Sequence, residues 1–207
     1  MSDITSWIAR SGVVAVLRAR TADGFAAVAD VLVSSGITAI EVTLTSRGAV
    51  DALAGLRRML PPVAVVGAGT ILTADQAKAS VDAGAQFLVS PVLDPTLGDF
   101  GVPFYPGGLT PTEIHQAARS GAELVKLFPA AAVGPRYIKD LHGPLPGVRL
   151  MPTGGIDVAD VSAWLDAGAT AVGLGGPLIG DAASGGSLQA LADRARRAAD
   201  AVALARS

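Results

Sequence analysis

The sequence predicts a single (β/α)8 barrel covering residues 1–207, and three observations lead there. Short aliphatic runs alternate eight times with longer Ala-rich stretches of helical period. A glycine recurs where helices hand over to strands, at Ser35-Gly36, Ala83-Gly84, Ser120-Gly121 and Ala167-Gly168. Glycine is the residue expected where a helix ends in a left-handed turn. The turn after the first strand, Leu17-Arg18-Ala19-Arg20-Thr21, lacks the glycine fingerprint that an open dinucleotide-binding sheet carries there.

Strands are expected over 13–17, 39–44, 63–68, 87–90, 104–105, 124–127, 150–151 and 171–174. Helices are expected over 22–34, 47–60, 74–82, 111–119, 135–141, 158–166 and 187–204. The segment 95–100 is too short for more than a turn or two, and the leader 4–10 is a candidate extra helix. Thr73 with Gln76, and Thr110 with Pro111 and Glu113, mark two helix starts as capping sequences. The four glycine sites precede strands two, four, six and eight, so the repeating unit is a pair of βα units. Alternating strands and helices imply parallel strands with right-handed crossovers, and eight such units fit a closed barrel. About 207 residues is short for that fold, so the loops must be tight.

Composition limits the function. Half the residues are hydrophobic and 16% are charged, so a large core is available. Aromatics make up 4%, so that core is mainly Val, Leu, Ile and Ala. A net charge of −2 suggests neither nucleic acid nor an anionic membrane as partner. Cysteine is absent, which removes disulfides, thiolate nucleophiles and thiolate metal sites. No basic-then-apolar leader and no run of about 18 apolar residues is present, so a soluble cytoplasmic protein is expected.

Polar residues inside apolar strands carry the chemical signal, because the C-terminal ends of barrel strands face the active site. Of three lysines, Lys78 and Lys139 fall on helix patterns and read as solvated. Lys126 lies inside strand six, in Glu123-Leu-Val-Lys126-Leu-Phe-Pro129. A bare ammonium among apolar side chains is costly, and an amine neutral part of the time attacks a ketone to form an imine. The same position also suits a lysine pointing outward or paired for structure. Glu113 and Glu123 belong to a cap and a turn. Glu41 sits mid-strand, on one face with Thr43 and Thr45. It could move protons, or only form an ion pair with Lys126 or Arg18. Arg18 ends strand one and could clamp a carboxylate or make a rim salt bridge. Thr70 follows a Gly-rich turn. Thr153-Gly154-Gly155 and Gly173-Leu-Gly175-Gly176 end strands seven and eight, where barrels bind phosphate. His115 and His142 read as surface residues, and no metal-ligand spacing or nucleophile-triad motif appears.

Taken in order, Glu41-Val-Thr-Leu, Gly67-Ala-Gly-Thr70, Ser90-Pro91, Tyr105-Pro-Gly, Lys126-Leu-Phe-Pro-Ala and Pro152-Thr-Gly-Gly resemble one family over nearly the whole chain. It is that of the 2-keto-3-deoxy-6-phosphogluconate (KDPG) and 4-hydroxy-2-oxoglutarate (KHG) aldolases. The stretch Gly134-Pro-Arg-Tyr-Ile-Lys139 also resembles their phosphogalactonate-cleaving relatives. The resemblance implies a trimeric class I aldolase of carbohydrate metabolism, of Entner–Doudoroff type, with no metal or organic cofactor. It would cleave a 2-keto-3-deoxy-6-phospho sugar acid to pyruvate and glyceraldehyde 3-phosphate. By matching position, Lys126 would be the Schiff-base lysine and Glu41 the proton carrier. Thr70 would hold the pyruvyl carboxylate, and Pro91, Phe128 and Thr153 would line the pocket. Gly154, Gly155, Gly175 and Gly176 would receive the phosphate.

Two positions depart from the family. Many phosphogluconate-type members carry an arginine four residues after the glutamate. Thr45 stands there in this chain and the nearest arginine is Arg47, so the clamp is assigned to Arg18, as in the phosphogalactonate type. A serine common in the family aligns with Gly176, removing a donor worth about 0.5–1.5 kcal/mol. The preferred sugar acid is therefore open. The rivals are a sugar-phosphate epimerase or isomerase without a covalent step, and a non-catalytic barrel that binds a phosphorylated ligand or builds an assembly.

Overall fold

A computed structural model describes residues 1–207. Helix α1 (Asp3–Ser11) leads into β1 (Val13–Leu17). Then follow α2 (Phe25–Ser34), β2 (Ala39–Thr43), α3 (Ala49–Met59), β3 (Val65–Gly69), α4 (Ala74–Asp82) and β4 (Leu88–Val89). Two short strands, β5 (Phe104–Tyr105) and β6 (Gly107–Gly108), precede α5 (Pro111–Arg119) and β7 (Val125–Leu127). The chain ends with α6 (Arg136–His142), β8 (Leu150–Pro152), α7 (Val161–Asp166), β9 (Val172–Leu174), α8 (Gly176–Ile179) and α9 (Leu188–Ala205).

All strand pairs are parallel. They form two ladders, β5-β4-β3-β2-β1-β9 and β6-β7-β8. A parallel bridge between Thr153 and Gly173 joins the second ladder to β9. The result is an α/β fold with a curled parallel sheet. Eight strands were expected and nine segments form, because Pro106, which has no N–H to give a ladder, separates β5 from β6.

Helix boundaries follow local chemistry. Thr110 caps α5 by accepting from Glu113 N, while the Glu113 carboxylate accepts from Thr110 N at 2.8 Å. Thr73 caps α4, but the Gln76 side chain reaches Leu72 N rather than closing a capping box. Gly36, Gly84, Gly121 and Gly168 all have φ between 92° and 107°, so the repeating glycine is a true left-handed helix stop. Helices α2 and α3 start later than expected. Their leading residues are held in a bridge, with Ala22 N donating to Arg47 O at 2.9 Å and Arg47 N to Arg20 O at 3.2 Å. Strand β3 also starts late, because Ala64 N closes a turn on Pro61 O. The expected helix over 158–166 opens with a 3-10 turn, Val158–Asp160, before α7.

Strand parity sorts the core. Val13, Ile40, Val66, Leu88, Val125, Leu150 and Val172 pack outward against the helices. Val14, Ala39, Val65, Phe87, Tyr105, Leu124, Met151 and Ala171 form a separate inner cluster with Ile8 of α1. Helix α1 is thus the floor of the sheet's concave face, with Ile4 and Trp7 packed on that cluster. The Glu123 carboxylate ties the floor down. It accepts from Ser2 Oγ at 2.6 Å and Thr5 Oγ1 at 2.5 Å, and Thr5 Oγ1 also meets Tyr105 Oη at 2.8 Å. Burial raises the Tyr105 phenol well above its ordinary range.

Candidate active site

Alternation places the next inward residue of each strand above that apolar floor. Above Ala39 comes Glu41, above Leu124 comes Lys126, and above Met151 comes Thr153. Above Val65, Tyr105 and Ala171 come glycines: Gly67 with Gly69, Gly107 and Gly173. These glycines leave room for their neighbours. A Cβ on Gly67 would lie 2.5 Å from the Phe87 ring, and one on Gly107 would lie 2.3 Å from Pro91 O. One on Gly173 would lie 2.2 Å from Thr153 Oγ1, and one on Gly69 1.8 Å from Glu41 Oε1. Gly69 of β3 and Gly173 of β9 therefore make the space that Glu41 of β2 and Thr153, just past β8, occupy.

Lys126 is 3% exposed and Glu41 is fully buried. The lysine sits in register between Gly107 and Met151, and the glutamate between Val16 and Gly67. Lys126 Nζ stands 3.7 Å from Glu41 Oε1, within ion-pair range but beyond a good hydrogen bond. The same nitrogen lies 5.4 Å from the centroid of the Phe128 ring, whose face favours a cation. Neither Glu41 oxygen has a hydrogen-bond partner in the protein. A buried carboxylate with free lone pairs and a cation just out of reach is costly as pure structure. It is well suited to a water or substrate hydroxyl between acid and amine. The inward, paired reading of Lys126 thus replaces the outward one.

At the rim, Thr70 has φ 63°, the one positive value outside glycine. For a β-branched residue this is strain of about 1–3 kcal/mol, of the kind found at ligand clamps. Arg18, exposed at the end of β1, donates from Nη2 to Thr70 Oγ1 at 3.3 Å. It makes no ion pair, so the rim salt bridge is not what this side chain does. Sequence reasoning missed the support beneath it. Thr43 donates to Leu17 O at 2.9 Å, and Ser46 Oγ accepts from Ala19 N at 3.1 Å, so two buried hydroxyls hold both sides of Arg18. Thr45 points its hydroxyl back to Thr43 at 3.3 Å. Ser46 lies five residues beyond Glu41, off its strand alternation, so nothing local marked it.

Gly154 and Gly155 have φ of 96° and 71°. A Cβ would meet the Phe128 ring at 2.9 Å from Gly154, and Ala131 Cβ at 2.6 Å from Gly155. Ala130 N and Ala131 N donate to Thr153 O and Gly154 O, which fixes this turn against the segment after Phe128. The N–H groups of Gly154, Gly155 and Gly175 donate to no backbone carbonyl. Gly176 borders open space. The structure therefore joins Lys126 to Glu41 and to Phe128, sets Phe128 against Gly154, Thr153 against Gly173 and Pro91 against Gly107, and joins Arg18 to Thr70.

His115 is exposed, but His142, expected on the surface, is half-buried with Nε2 3.0 Å from Val148 O. No three His, Asp or Glu side chains converge as a metal site, and no helix is long and apolar enough to cross a membrane. A cleft of about 550 Å3 between the 93–104 loop and residues 120–123 includes none of the candidate site residues.

The sequence profile of the KDPG and KHG aldolases matches residues 4–191. The chain is 32% identical over 178 residues to the 2-dehydro-3-deoxy-6-phosphogalactonate aldolase of Escherichia coli K12, covering 83% of this chain and 86% of that one. It is 37% identical over 158 residues to the 2-dehydro-3-deoxy-phosphogluconate aldolase of Haemophilus influenzae, covering 74% of each. Its fold is similar to the KDPG aldolase of Legionella pneumophila, solved with pyruvate captured as a covalent carbinolamine. That likeness has a TM-score of 0.86 at 28% identity, over 94% of this chain and 97% of that one.

Proposed function

The chain belongs to the KDPG and KHG aldolase family, and from that premise we propose that it is a class I aldolase. It cleaves 2-keto-3-deoxy-6-phospho sugar acids, and 4-hydroxy-2-oxoglutarate as well, to pyruvate and an aldehyde. The observation that carries this reading is the enclosed Lys126–Glu41 pair, 3.7 Å apart, with both carboxylate oxygens free.

Lys126 Nζ adds to the C2 ketone of the substrate, and the carbinolamine oxygen leaves as water after protonation from Glu41, directly or through one water. The protonated imine accepts the electron pair of the C3–C4 bond as the C4 hydroxyl gives its proton to the Glu41 carboxylate, directly or through one water. An aldehyde departs and the enamine of pyruvate remains on Lys126. Glu41 or its water protonates the enamine carbon, and hydrolysis frees pyruvate and the amine. Arg18 and Thr70 hold the pyruvyl carboxylate. Pro91, Phe128 and Thr153 line the pocket, with the Phe128 face beside the iminium charge. Gly154 and Gly155, with the Gly175–Gly176 turn, offer free N–H groups to the phosphate.

We read the curled sheet as a complete eight-stave barrel in one domain, interrupted at Pro106 and joined at the Thr153–Gly173 bridge. A cytoplasmic homotrimer follows the family pattern, and neither a metal nor an organic cofactor is needed for these steps. The Arg18–Thr70 contact, matching the arginine at the end of strand one that phosphogalactonate-type members carry, favours that class of sugar acid.

The test is chemical trapping. The protein is incubated with pyruvate, reduced with borohydride, weighed and digested. A reduced pyruvyl adduct on Lys126 is expected. No adduct on a folded protein would move the reading to a non-covalent epimerase, isomerase or binding barrel.

A further inference from the structure

Helix α8 is a single turn of four residues between Gly175 and Gly180. One turn fixes more backbone torsions than its own bonds repay, so it depends on outside contacts. Leu178 and Ile179 bury their side chains in the core. The carbonyls of the same two residues are left over at the helix end. Arg194, midway along α9, takes both, with Nε donating to Leu178 O at 2.7 Å and Nη2 to Ile179 O at 3.0 Å. No carboxylate lies within ion-pair distance of this guanidinium, so its charge is directed at the two carbonyls alone. The adjoining backbone is shaped around it. Gly180 has φ 59°, and a Cβ there would come 2.7 Å from Arg194 Nη2.

The gripped residues are coupled to the front of the turn. Leu178 N and Ile179 N both donate to Gly175 O at 3.0 Å, and Gly180 N donates to Gly176 O at 2.7 Å. Any shift of the Leu178 and Ile179 carbonyls therefore moves Gly175 and Gly176. These two glycines carry no side chain to anchor themselves. We propose that Arg194 is a positioning residue for the phosphate end of the substrate, holding the Gly175–Gly176 turn at the spacing that a phosphate needs from Gly154 and Gly155. This rests on the reading that these glycines receive the phosphate. Arg194 touches no reacting atom. Its two parallel donors suit a guanidinium, and a lysine ammonium supplies one point charge without the fork.

The experiment compares the parent with Arg194→Ala and Arg194→Lys in the full chain. Four quantities are measured: kcat and KM for a 2-keto-3-deoxy-6-phospho sugar acid, the same for 4-hydroxy-2-oxoglutarate, inhibition by inorganic phosphate, and deuterium exchange into the pyruvate methyl group. In Arg194→Ala, KM for the phosphorylated substrate and Ki for phosphate should each rise about tenfold, the reach of one charge-assisted hydrogen bond. Its kcat, its KM for 4-hydroxy-2-oxoglutarate and its exchange rate should stay within about twofold, while Arg194→Lys recovers part of the loss. Equal losses on both substrates, or a fall in exchange, would make Arg194 a plain structural staple and overturn the proposal. An unchanged Ki in Arg194→Ala, with the parent clearly inhibited by phosphate, would overturn it while leaving the phosphate reading intact. A parent indifferent to phosphate would remove both.

Discussion

Gly69→Ala separates the position of the Glu41 carboxylate from its chemistry. A Cβ at residue 69 would fall 1.8 Å from Oε1, 2.4 Å from Cδ and 2.6 Å from Cγ of Glu41. Ordinary contact needs about 3.5 Å, so the carboxylate must move by well over an ångström. The backbone at Gly69 has no positive φ, so alanine itself fits the strand. What yields is the far end of a flexible side chain, and the fold should survive with a loss of about 1–3 kcal/mol for overpacking. Catalysis should suffer more. Misplacing a reacting group by about 1 Å costs roughly 100-fold, or about 2.7 kcal/mol of barrier. The assay is retro-aldol cleavage coupled to pyruvate reduction, run beside borohydride trapping. The expected result is kcat reduced about 100-fold with Lys126 still trappable by pyruvate, because the amine keeps its strand position. A variant with kcat within about threefold of the parent would refute the claim that the Glu41 position, set by the glycine opposite, carries proton transfer.

Three further outcomes follow from the same geometry. Lys126→Ala should abolish cleavage and trapping and lower thermal stability, since the buried Glu41 carboxylate loses its cationic neighbour; Lys126→Met combined with Glu41→Gln should recover stability without activity, and cleavage within about tenfold of the parent in either would reject the assignment. Arg18→Met should raise KM for pyruvate-containing substrates about tenfold with kcat little changed, as removal of a carboxylate clamp does, whereas a kcat loss of equal size would place Arg18 in the chemistry. The third concerns the floor. Partial burial pulls the Glu123 carboxyl upward, but the donors of Ser2 and Thr5 outweigh it and hold the group at about 2, against an ordinary 4.5. A depressed carboxyl adds stability that is fully present above pH 4.5 and fades as pH falls toward 2. With the side chain 30% exposed, the contribution is discounted to about 1–2 kcal/mol. Urea titrations between neutral pH and pH 3 should show that loss in the parent and a smaller one in Glu123→Gln; parallel curves would count against the network.

Helix α5 and the four glycine stops were legible in the chain because their causes are local. Thr110 and Glu113 satisfy each other within one turn, and each stop glycine answers a backbone angle at its own position. Lys126 and Glu41 stood out for a similar reason, as lone charges in apolar strands. Long-range effects were harder to read. Bridging between residues 20–22 and 47 shortened α2 and α3, and Pro106 split a strand whose partners lie far along the chain. Arg194 and Ser46 looked like ordinary helix and loop residues, because their partners are backbone atoms brought close only by folding.

By itself the amino-acid order determined periodicity, helix ends, the apolar inventory and the two out-of-place charges, all properties of neighbours within about one turn or one strand. Tertiary structure decided which glycines face which side chains, how far Nζ stands from Oε1, and which hydroxyls support Arg18. Those distances depend on register between strands, and a one-residue slip would send every one of these groups to the opposite face.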